Sequence, residues 1–147
     1  MSKVPLIFLA TLALGVRFNI PRTALWVSAT IASLSFVVVE FLRQAGAYDP
    51  ESAFVGAFLV AMSSEILARV LKVPSPVLSI PAVIPMVPGS VAYRAVIQLV
   101  RGEGVAAMSI GTRVVLTSVA IASGILLAGA IARKGLRPVF SGKTSPA

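Results

Sequence analysis

Few side chains in this sequence could do chemistry, and the ionisable ones stand inside or at the ends of apolar runs. The 147 residues include no cysteine and no histidine, which excludes a thiol nucleophile, an imidazole base and a Cys/His metal site. Serines are many, but none is followed by a recognisable base, and no paired acidic motif lies within the apolar runs. No catalytic residue, metal or cofactor is therefore expected. What remains is Glu65, Arg94 and Arg113, each within an apolar neighbourhood, and a stretch at 74–94 (PSPVLSIPAVIPMVPGSVAYR). An ionisable residue inside a membrane span is a functional hypothesis by default.

That stretch holds five prolines (Pro74, Pro76, Pro81, Pro85, Pro88) and Gly89 in a run otherwise apolar enough for a bilayer. Each internal proline removes an N–H and crowds the carbonyl four residues back, at about 3 kcal/mol in a helix interior. A hydrophobic anchor gains nothing from repeating that cost. Backbone freed at membrane depth is tolerated only where protein or a water-filled cavity satisfies it, and broken helices of this kind recur at transporter binding sites. The spacing predicts an irregular half-helix over 76–87 and a second over 90–100, with Ser90 as the N-cap and Gly89 free to adopt positive φ. The first N–H groups of the second half-helix would then face the break. With Pro85, Pro88, Ser90, Tyr93 and Arg94 they would form a site for a carboxylate. A kinked span that merely packs well is the plainer reading of the same prolines.

Glu65 and Arg69 stand i, i+4 in the order that favours an ion pair, so they could pair and snorkel near a helix end. The other reading makes Glu65 an ion-coupling group. Arg113 has Ser109 and Thr117 four residues to either side. It needs an acceptor, and Glu65 or carbonyls freed by the prolines are the ones expected.

The elements that would hold these groups follow from composition. The sequence is 57% hydrophobic and 12% charged, with a mean hydropathy of +0.96, against about a quarter charged in soluble domains. This is the pattern of an all-α integral membrane bundle. The net charge of +8 does not point to nucleic acid, because the basic residues sit singly at the ends of apolar runs, as membrane topology requires. Five transmembrane helices are expected, over about 4–20, 23–42, 52–71, 76–100 and 105–132, the fourth broken by prolines. A basic cytoplasmic tail without regular structure would occupy 133–147. The first run follows Lys3 and resembles a signal peptide, but no clear small-x-small cleavage site precedes a soluble chain.

Small residues line faces of three spans: Ser28, Ala32 and Ser35; Gly56, Val60 and Ser63 or Ser64; Ala120, Gly124 and Ala128. Such faces allow close helix packing, and they are expected to bury against helices of a partner. With five crossings, Arg17, Arg22, Arg69, Lys72, Arg133, Lys134, Arg137 and Lys143 gather on one side, against Lys3, Arg43 and Arg101 on the other. That bias places the C-terminus in the cytoplasm. A re-entrant proline segment would erase it.

Three blocks resemble one family: FNIPRTALW (Phe18 to Trp26), SSEILARVLKVP (Ser63 to Pro74) and PAVIPMVPGSVAYRA (Pro81 to Ala95). In order, and over nearly the whole chain apart from the tail, they resemble the small subunit of the split threonine/serine exporter family. The resemblance implies half of a secondary transporter in a bacterial or archaeal cytoplasmic membrane. It would export threonine and serine, or dicarboxylates such as succinate, beside a larger membrane subunit or copies of itself. It also implies functional positions at Glu65, Pro85, Pro88, Gly89, Tyr93 and Arg94, and gives Arg113 none. The readings set against a transporter are an intramembrane enzyme, for which the residues are missing, and a non-transporting assembly or scaffold subunit.

Overall fold

The computed structural model describes residues 3–135, and all regular structure among them is helical. The order is α1 (Val4–Arg17), α2 (Arg22–Gln44), α3 (Asp49–Leu71), α4 (Ser75–Val83), a 3-10 turn (Ile84–Met86), α5 (Gly89–Val100) and α6 (Gly104–Gly135). Three helices, α2, α3 and α6, are long and apolar enough to cross a membrane, and the bent pair α4–α5 makes a fourth crossing if taken as one span. With the shorter α1, of 14 residues, this is the expected five-helix membrane bundle, its fourth member broken at the prolines. The first three residues of the expected tail continue α6 to Gly135, and the rest of it lies outside the described residues.

The turns between helices are short for a shared physical reason. At the ends of α1, α2, α3 and α5 an amide donates to a carbonyl five residues back: Ile20 to Gly15, Ala47 to Leu42, Val73 to Ala68 and Glu103 to Gln98. That closure needs a left-handed residue before the donor. Gly46 (φ 92°) and Gly102 (φ 80°) supply it freely, while Asn19 (φ 53°) and Lys72 (φ 54°) adopt it with a side chain. Pro5 and Pro50 stand in the first turns of α1 and α3, where a missing N–H costs nothing.

Helices α3 and α6 lie side by side and run parallel. Asp49 meets Arg113 at one end, Phe54 and Phe58 meet Gly124 in the middle, and Arg69 Nη2 donates to the Ala132 carbonyl at the other. A Cβ on Gly124 would stand 2.7 Å from the Phe54 carbonyl oxygen and 3.1 Å from the Phe58 nitrogen, so the two backbones touch there. Parallel α3 and α6 require that α4 and α5 together make one crossing. A re-entrant pair would have returned α6 antiparallel.

The expected small-residue faces are buried within this one chain. Ser28, Ala32, Ser35, Gly56, Val60, Ser64, Gly124 and Ala128 all lie in the interior. Ile31 and Ala32 of α2, Val60 of α3 and Ala82 of α4 form one core cluster, and Ala24, Ala68 and Leu78 another. The expectation that these faces await a partner is therefore corrected: they close on each other. Helix α5 differs, because none of its residues is buried.

Charges are matched in level across the bundle. Asp49 and Arg69 on α3, and Arg113 and Arg133 on α6, are each twenty residues apart, about 30 Å along a helix and equal to a hydrocarbon core. Arg113 thus stands at the level of the α2–α3 turn, not halfway along the bundle.

Candidate functional site

The break in the fourth span is built by three proline positions in succession. Pro81, inside α4, leaves the Val77 carbonyl without its helical donor. Pro85 then falls in the 3-10 turn, which ends with the Val87 amide donating to Ile84 at 3.1 Å. Pro88 (φ −76°, ψ 48°) sits at the centre of an inverse γ-turn, closed by Gly89 N–H to the Val87 carbonyl at 2.8 Å. Pro88 is also the N-cap of α5, and the chain leaves the break bent by 41°.

Two details differ from the sequence reading. Gly89 does not adopt positive φ; it is the first residue of α5, exposed, with open space where a Cβ would be. Ser90 does not cap the helix: Pro88 is the N-cap, and Ser90 stands two residues further on, within the first turn, with no side-chain cap bond. Since Gly89 N–H is spent on the γ-turn and Ala92 N–H on Pro88, Ser90 and Val91 carry the amides of the first turn that have no helical acceptor.

Beside this helix start lies a cleft of about 210 Å³, lined by Pro85, Met86, Pro88, Ser90 and Val91 from the break, with Arg43, Asp49, Arg113 and Thr117 from α2, α3 and α6. Its volume is below the range for drug-sized ligands and suits a small metabolite. Asp49 bridges the two guanidiniums: Oδ1 is 3.5 Å from Arg43 Nε, and Oδ2 is 3.5 Å from Arg113 Nη1. Arg43 Nε also donates to Ser52 Oγ at 3.4 Å, and Ser52 Oγ to the Asp49 carbonyl at 3.1 Å. Thr117 is buried and donates to the Arg113 carbonyl at 2.8 Å, anchoring that turn of α6. The acceptor of Arg113 is thus Asp49, not Glu65 or a carbonyl freed by proline.

The structure brings Pro85, Pro88 and Ser90 together with Arg113. Gly89 adjoins the cleft but does not line it, and Tyr93 and Arg94 are exposed on α5 outside it. Glu65 is at the other end of the bundle. Its Oε1 accepts from Ser75 Oγ at 2.8 Å, in a separate cleft of about 200 Å³ shared with Ser79 and Arg133. This bond ties α3 to the start of α4, the segment that leads into the break. Arg43 and Asp49 are cleft residues that the sequence reading did not single out. The equal spacing of Asp49–Arg69 and Arg113–Arg133 is visible in the sequence, but only the packing of α3 against α6 sets Asp49 and Arg113 at one level.

A multi-pass membrane bundle with a helix broken beside a charged cleft is the architecture of transporters. The chain belongs to the threonine/serine exporter (ThrE) family, whose model matches residues 3–131. It is a membrane component of an exporter of that family. No curated protein and no solved structure matches it.

Proposed function

We propose that this chain carries the substrate pocket of a secondary transporter that exports small carboxylates, threonine and serine foremost. Dicarboxylates such as succinate are the other substrate class implied by the resemblance. The observation that supports this is the convergence of the α5 N-terminus with Arg43 and Arg113 on one cleft. A helix start carries partial positive charge and unbonded N–H groups, and a guanidinium can hold a carboxylate through two parallel bonds. Met86 and Val91 supply apolar wall. Glu65, 24 Å or so away along α3 by helix rise, is the candidate ion-coupling group, since it holds the opposite end of the broken span through Ser75.

The transporter works with a larger membrane subunit or with copies of this chain. Exposed α5, with no buried residue, is the surface left for such contacts or for lipid. The bias of basic residues supports a cytoplasmic C-terminus, and the resemblance supports a bacterial or archaeal inner membrane. The scaffold alternative rested on small-residue faces reaching for other helices, and those faces are consumed inside the chain.

The test is efflux of labelled threonine and of labelled succinate from vesicles containing this chain together with the subunit that co-purifies with it. Efflux that depends on this chain and is lost in Arg113→Gln supports the reading. Efflux carried by the partner alone overturns it.

A further inference from the structure

Within the cleft read above as the substrate pocket, and resting on that reading, we infer that Asp49 is a specificity-determining residue. It selects a monocarboxylate bearing an ammonium group, an α-amino acid, and rejects dicarboxylates.

Asp49 stands between two cations on different helices, Arg43 of α2 and Arg113 of α6, at 3.5 Å from each. Both contacts are longer than the 2.7–2.9 Å or so of a tight charge-assisted bond. Neither guanidinium is closed off by Asp49. The arginine side chains remain 41% and 63% exposed, the Asp49 side chain 38%. The remaining lining, from the break and from α6, carries no charge. The cleft therefore holds two positive charges and one negative.

One surplus positive charge, reinforced by the helix start, accommodates one carboxylate. A second carboxylate within the same small volume would turn the net charge of the cleft negative beside Asp49, and like charges at that range repel. An ammonium group on the carbon next to the carboxylate meets the opposite situation. It approaches Asp49 as a partner while the carboxylate takes Arg113 and the amides of Ser90 and Val91. The residue that bridges the arginines thus reads the second functional group of the ligand.

The experiment measures binding of L-threonine, 3-hydroxybutyrate and succinate to the full chain extracted in native-lipid discs, so that any associated subunit stays bound. 3-Hydroxybutyrate keeps the carboxylate and hydroxyl of threonine and lacks the ammonium. The unmodified chain should prefer threonine to both others by about tenfold or more, the scale of one bond to a charged group. Asp49→Asn should collapse that preference, weakening threonine and strengthening succinate, while Asp49→Glu should keep it. A ratio of affinities within one preparation does not depend on how much of the variant is folded. Asp49→Asn with an unchanged ratio overturns the assignment of Asp49 and leaves the pocket standing. Failure of the unmodified chain to bind any of the three removes the pocket itself, and the assignment with it.

Discussion

Asp49 Oδ2 lies 3.5 Å from Arg113 Nη1, joining the first residue of α3 to α6 at the mouth of the cleft beside the proline break. The pair is open, with side chains 38% and 63% exposed. Exposed ion pairs contribute about 0–1 kcal/mol, so this one does little for the fold. Its removal should separate stability from transport.

Arg113→Gln should change unfolding stability by less than about 1 kcal/mol and abolish most carboxylate efflux in reconstituted vesicles. Arg113→Lys should be intermediate, because an ammonium lacks the planar fork. Arg94→Gln, on the exposed face of α5, should cost less efflux than Arg113→Gln. The reverse order would move the carboxylate contact out of the cleft and onto that face.

Two glycines should respond in opposite ways to added side chains. Gly89 has nothing within 4 Å of a new Cβ and starts a helix, so Gly89→Ala should leave stability unchanged or raise it by about 0.5–1 kcal/mol. Gly124 has the Phe54 and Phe58 backbone in that space, and Gly124→Leu should destabilise by about 1–3 kcal/mol or more. Thermal unfolding in detergent, with assembly read by mass, checks both. Equal tolerance at the two sites would contradict the close approach of α3 and α6.

Glu65 offers a separate test at the far end of the bundle. A glutamine there can still accept from Ser75 Oγ, so Glu65→Gln should assemble normally. If Glu65 couples ion movement to export, the same variant should lose the pH dependence of efflux while binding of threonine persists. Glu65→Ala should in addition lower stability by about 1 kcal/mol through the lost hydrogen bond. A Glu65→Gln transporter with an unaltered pH profile would leave Glu65 only as a tie between α3 and α4.

Parallel packing of α3 and α6 sets the sidedness of two accessible points. Reporter fusions in the α2–α3 turn at Gly46 and after Lys134 should report opposite faces of the membrane, because they lie at opposite ends of these parallel helices. On the proposed orientation, the Lys134 fusion should report the cytoplasm. Both fusions on one face would be incompatible with a single crossing by α4 and α5.

Much of the architecture was legible because it depends on short-range chemistry. Apolar runs bounded by Arg and Lys define α2, α3 and α6, and prolines at 81, 85 and 88 interrupt a helix wherever the chain carries them. Asn19, Gly46 and Gly102 close turns by local φ preference. The small faces on α2, α3 and α6 could likewise be read by period, but not what they would meet, since a face only declares that something packs closely. Within the break, the sequence allowed Gly89 a left-handed φ and Ser90 a cap. The γ-turn at Pro88 uses the Gly89 amide and starts the helix one residue early, an outcome set by hydrogen-bond competition among neighbours. The site itself was decided by tertiary structure. Arg43, Asp49 and Arg113 come from three helices, and an ion pair between distant elements leaves no periodic mark on any of them. Glu65 and the proline break, which the sequence put in one list of candidates, are separated to opposite ends of the bundle, because helix rise carries residue 65 about 24 Å from residue 49.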